Sequence, residues 1–168
     1  IMARRKILLE GDPVLRKKSK PVLVFDKNVK DLFVDMEETL EKEEGAGLSA
    51  VQVGILKRMF IIYDGNETLK VVNPEILSQS GRNKITQEGC LSIPGKWGDV
   101  ERPDKVEVSY QDENGNAVKK TLCGFSAKAF CHEFDHLDGI LFIDKATNLC
   151  DSYEQYARLK AKEKKSKK

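Results

Sequence analysis

Histidine is almost absent from this chain: 168 residues hold two, His132 and His136. A metal site built on imidazole must use both, and any further protein ligand has to be a cysteine or a carboxylate. The four cysteines, Cys90, Cys123, Cys131 and Cys150, include no C-x-x-C pair. That spacing argues against a small disulfide framework and suits a reducing compartment, where a thiolate is free to hold metal. No apolar run approaches the length of a membrane span and no signal-peptide core opens the chain, so no membrane partner is expected. The expected setting is cytoplasmic, or an organellar matrix or stroma if a transit peptide has been removed. A dominant charge is missing as well: 29 Lys and Arg against 27 Asp and Glu leave a net +2, too little for a DNA-binding surface. What remains is one compact domain over residues 1–168, with a basic stretch from about 160 to 168 expected to fray. Ile1 ahead of Met2 is unusual, and the sequence does not explain it.

The two histidines fall in His132-Glu133-Phe134-Asp135-His136. On a helix each residue advances about 100°, so positions four apart sit about 40° from each other and one turn apart. Both imidazoles can then reach one ion, with Glu133 on the same side to share a proton with a water, as the H-E-x-x-H pattern encodes. Ser126 can cap this helix, Gly139 can end it, and Ala129, Phe130, Phe134 and Leu137 give it an apolar face. Cys131, about 100° from His132 and about 140° from His136, should pack rather than ligate.

In chain order, Gly11-Asp12-Pro13 is a turn in an N-terminal segment expected to wrap the body. Asp26 should cap a helix carrying Val29, Leu32, Phe33, Met36 and Leu40, stopped by Gly45. The small-residue run Gly45 to Gln52 allows close backbone approach, with Gln52 a hydrogen-bond donor into a site; a flexible connector is the plainer reading. Arg58 to Tyr63 and Leu69 to Val72 read as paired strands. Cys90 lies between Glu88-Gly89 and Leu91-Ser92 in a segment that looks shaped, although a lone cysteine is usually a small buried hydrophobe. Val106, Val108 and Tyr110 alternate toward an Asn114-Gly115 type I′ turn and the return strand Val118 to Leu122. Ile140 to Ile143 reads as a short strand, and Asp151 as the cap of a last helix that ends in lysines.

Three blocks in this order, G-A-G-L-S-A-V-Q (45–52), E-G-C-L-S (88–92) and H-E-F-D-H (132–136), closely resemble the signatures of peptide deformylases. The resemblance covers nearly the whole chain and departs mainly at Ser49, where the family usually has alanine, and Val51, often proline. It implies an α+β fold in which the H-E-x-x-H helix is packed among antiparallel β-sheets, with an N-terminal and a C-terminal helix. By matching position it implies Cys90, His132 and His136 as metal ligands, Glu133 as the acid/base, and Gln52 with the Leu91 N–H as oxyanion donors. Fe²⁺ is the implied native metal, with Zn²⁺, Ni²⁺ or Co²⁺ as substitutes, a choice that two imidazoles and a thiolate leave open. The implied substrates are N-formylmethionyl nascent peptides and the product formate. Ala46, Gly47, Phe125 and Ala129, with Leu91, are candidates for the methionine pocket, and Glu88 for orienting the site.

Two other readings compete. A metzincin protease would need histidine at 142, where Phe142 stands, and Glu154 is the sole nearby glutamate for another zincin. A purely structural metal would take a fourth ligand from Cys123, Cys131 or Cys150 and leave Glu133 and Gln52 unexplained. The lysines from Lys160 to Lys168 suggest ribosome contact through the C-terminal helix.

Overall fold

The computed structural model describes residues 4–167. The expectations placed on Ile1 and Lys168 lie outside them. Four elements frame the fold: helix α1 (Lys27–Glu43), the long strands β3 (Thr68–Cys90) and β4 (Ile93–Gln111), and the motif helix α2 (Phe125–Leu137). Around them lie β1 (Gly47–Ser49), β2 (Met59–Tyr63), β5 (Ala117–Cys123), β6 (Thr147–Cys150) and helix α3 (Tyr153–Ser166). All pairings between the strands are antiparallel, in the order β1-β2-β3-β4-β5 with β6 on β4. The fold is α+β, and its strands form one continuous hydrogen-bonded sheet, not separate ones. Register shifts between β3 and β4, at Val72/Glu75, Ile76/Ser78, Ser80/Asn83 and Glu88/Cys90, bend it.

Two buried clusters fix the helices on this sheet. Phe130, Ala127, Cys131 and Leu137 of α2 pack on Phe60, Ile62, Val71, Val106 and Val108, with the Phe60 and Phe130 rings edge to face at 5.0 Å. Val29, Leu32, Phe33, Met36 and Leu40 of α1 pack on Leu48, Met59, Ile61 and Val72. Successive residues of β2 point to opposite faces, so Phe60 and Ile62 serve one helix while Met59 and Ile61 serve the other. Alternation at Val106, Val108 and Tyr110 and the α1 stripe were both readable in the sequence.

Several local expectations need correction. Helix α2 begins at Phe125 with Gly124 as its cap, and Ser126 lies inside the first turn. Glu44, not Gly45, takes the left-handed position that ends α1. The 112–116 turn has positive φ at Gly115 alone, so it is not type I′; the Asp112 carboxylate accepts from the Asn114 and Asn116 N–H groups. Residues 142–144 form a 3-10 helix rather than a strand, and Ser152, not Asp151, caps α3 by accepting from Gln155 N. Helix α3 runs to Ser166, with Tyr156 OH and Lys160 Nζ both bound to the buried Asp99 carboxylate. Among the described residues, no helix is long and apolar enough to cross a membrane.

The N-terminal segment does wrap the body: Leu8 N donates to Gln52 O and Glu10 N to Ser92 O. The far end of α2 is held as firmly. Ser19 N and Arg58 both donate to Leu137 O, and Gly139, at φ +74, lets the chain leave against Arg16, whose carbonyl oxygen a Cβ would approach to 2.4 Å. Gly139→Ala should therefore cost about 2–5 kcal/mol, combining left-handed strain with overpacking, read as a lowered urea midpoint.

Candidate active site

The site forms where the β1 edge, the β3–β4 turn and α2 meet. Strand β3 ends at Cys90, which pairs with Ile93 across the two-residue turn Leu91-Ser92. This turn brings the thiol up to helix α2. Cys90 Sγ lies 3.4 Å from His136 Nε2, and the ligand atoms of Cys90, His132 and His136 all fall within 4.8 Å of one another. A tetrahedral ion with bonds of about 2.0–2.3 Å needs donors roughly 3.3–3.8 Å apart, which is the spacing of Cys90 Sγ and His136 Nε2. Three protein donors leave one position for water or substrate. Cys131 directly precedes His132 but stands outside the cluster because it packs in the core beneath α2, where burial pushes its thiol up to about 11.

Glu88 stands behind the cluster. Its Oε1 lies 2.7 Å from His132 Nδ1, so the imidazole is held from behind and its other nitrogen is left for the cluster. Arg102, from the neighbouring strand, donates to both Glu88 oxygens at 2.8 and 2.9 Å and to Asp135 at 2.7 Å. Burial pushes the Glu88 carboxyl up, but the bonds from Arg102 and His132 outweigh it and hold the group down at about 2. Burial dominates at Glu133, whose carboxyl rises to about 7 against the pull of His132 and Ser49.

The small-residue run is not a connector. It forms edge strand β1 and a 3-10 helix over Ala50–Val53, both packed against α2. A Cβ at Gly47 would sit 2.5 Å from Glu133 Oε2, which is why that position must be bare. Ser49 N donates to Gln52 Oε1 at 2.9 Å, turning the amide so that Nε2 faces Ser92 Oγ at 3.0 Å and Cys90 Sγ at 3.6 Å. Leu91 occupies the turn beside Cys90 and packs toward Gly45.

The pocket candidates are less closely grouped. Ala46 is exposed at the sheet edge, Ala129 is buried in the core beneath α2, and Phe125 is half exposed at the start of that helix. Phe125 borders a hollow of about 250 Å³ with Thr86, Arg102 and Lys128. Sequence reasoning missed Arg102, Asp135, Ser92 and the Ser49 hydroxyl. Asp135 lay inside the motif at a variable position, and a lone arginine on a strand carries no local signal; only the fold brings it to Glu88. Arg102→Met removes the cation that the buried carboxylates of Glu88 and Asp135 share and should cost about 3–5 kcal/mol near neutral pH. Because the folded-state Glu88 value is depressed, its stabilisation is complete above about 4.5 and is lost as pH falls toward about 2. The gap between parent and variant, followed by urea titration, should narrow over that range.

Comparison with known proteins agrees with this geometry. The family model described as polypeptide deformylase matches residues 4–152. A peptide deformylase of Finegoldia magna is 48% identical over 160 residues, covering 94% of this chain and 98% of that protein. Peptide deformylase 2 of Clostridium acetobutylicum is 49% identical over 147 residues, covering 87% and 97%. The crystal structure of the Thermotoga maritima peptide deformylase superimposes with a TM-score of 0.84 at 44% identity, over 86% of this chain and 98% of that one. With the signature blocks, the sheet and the Cys-His-His cluster all in agreement, this chain belongs to the polypeptide deformylase family.

Proposed function

We propose that this protein removes the formyl group from the N-terminal formyl-methionine of newly made polypeptides, with Cys90, His132 and His136 holding the metal and Glu133 as the acid/base. The observation that carries the reading is the meeting of one thiolate and two imidazoles beside a buried carboxylate. Fe²⁺ is the proposed ion, with Zn²⁺, Ni²⁺ and Co²⁺ compatible with the same donors. Bound there, the ion would lower the pKa of a water and polarise the formyl carbonyl.

The chain's own groups account for the rest. Glu133, poised near neutrality, takes a proton from the attacking water as the water oxygen adds to the formyl carbon. The same carboxyl then hands that proton to the departing amine, and formate is released. Gln52 Nε2, fixed by Ser49 N at its other end, faces the side of the cluster where the carbonyl oxygen would gain charge. The Leu91 N–H is the proposed second donor. Glu88 holds His132 in place, Gly47 leaves room for the base, and Ala46, Phe125 and Ala129 border the proposed methionine pocket. The proposed compartment is the cytoplasm. Lys162, Lys164 and Lys165 on the outer part of α3, with Lys167 just past its end, are the residues proposed to meet ribosomal RNA.

Three measurements test this. Glu133→Gln should keep its metal while formate release from a formyl-Met peptide falls by about 10²–10⁴-fold; turnover at the parent rate would remove Glu133 as base. Gln52→Ala should lower kcat by roughly 10²-fold. Cys90→Ala should lose the metal, read by elemental analysis of anaerobically prepared protein.

A further inference from the structure

The Ser49 hydroxyl points at the side chain of Glu133. Its Oγ lies 3.1 Å from Glu133 Oε1 and 3.1 Å from the Glu133 backbone oxygen. One hydroxyl proton can serve only one strong bond. The Glu133 carbonyl lies within the α2 ladder and already has an N–H four residues on, whereas among the described residues no other side chain is hydrogen-bonded to the carboxylate. The carboxylate therefore has more to gain from the proton.

We infer that the Ser49 hydroxyl is a positioning group for the reaction, holding the Glu133 carboxylate in the orientation from which it moves the proton. The inference rests on Glu133 being the base. Ser49 suits the task because it cannot move: it is fully buried, pairs with Phe60 at the end of β1, and lies between the buried Leu48 and Ala50. From the same strand Gly47 borders Oε2, so β1 touches both oxygens of the carboxylate, one by a bond and one by close packing. The backbone N–H of Ser49 holds Gln52 as well. Any residue at 49 supplies that N–H, so replacing the side chain disturbs the base and leaves the amide donor in place.

In the metal-loaded enzyme, Ser49→Ala should lower kcat by roughly tenfold, with KM and metal content unchanged. Ser49→Thr, which keeps the hydroxyl, should retain more activity than Ser49→Val, which has the same shape without it. A second readout does not depend on turnover. If the bond is to the carboxylate, Ser49→Ala should lower Tm in the parent but not in a Glu133→Ala background, where the backbone oxygen remains. An unchanged kcat in Ser49→Ala, equal activity in the Thr and Val variants, or the same Tm loss in both backgrounds would overturn the inference; if the bulkier pair fails to fold, the Ala comparisons decide. Should Glu133→Gln itself turn over normally, the assignment of the base fails, which is a separate result.

Discussion

The Glu88 carboxylate is the point on which the site depends. It is almost fully buried, and it is bonded by Arg102 from β4 and by His132 from α2. A carboxylate in such a place is costly unless its oxygens are satisfied by cations or N–H groups. Meeting that requirement forces β3, β4 and α2 into one relative position. Cys90 is two residues further along β3, so the same constraint that satisfies Glu88 carries the thiol to the histidines. Arg102 extends the link to Asp135, which also meets Lys145 at 3.0 Å. Cys90 and the two histidines are thus placed by a buried ionic network behind them, and the apolar core beneath α2 supplies the platform.

The opposite wall of the site uses no charge. There β1 approaches α2 through Gly47 and Ser49, where absent or small side chains let the strand lie against Glu133. Larger residues at these positions would push the base away or strain the edge strand. Charge orders the side of Cys90 and His132, smallness orders the side of the Glu133 carboxylate, and helix α2 is held between the two.

Much of this was legible in the sequence because local rules coincide with the fold. The i, i+4 histidines, the apolar stripe of α1 and the alternation in β4 each report a face that one element buries by itself. The failures have physical causes. Ser126 and Asp151 have good capping side chains, but each helix takes its cap from a neighbouring residue, a shift of one or two positions that propensity does not resolve. Ile140 to Ile143 looked like a strand because a short apolar run does not distinguish burial in a 3-10 turn from burial in a sheet. Lys160 looked like part of a solvated tail because its partner, Asp99, is 61 residues away. Arg102 was invisible for the same reason: its meaning lies in long-range pairing alone.

Strapping of the leading segment across the site has a further consequence. Leu8 and Glu10 donate to the carbonyls of Gln52, whose amide faces the thiol, and of Ser92, two residues past Cys90, while the last member of the cluster in the chain is His136. The centre therefore draws on the beginning, middle and end of its own polypeptide and has no local precursor. An enzyme that works on emerging chains gains its own competence only after most of itself has emerged.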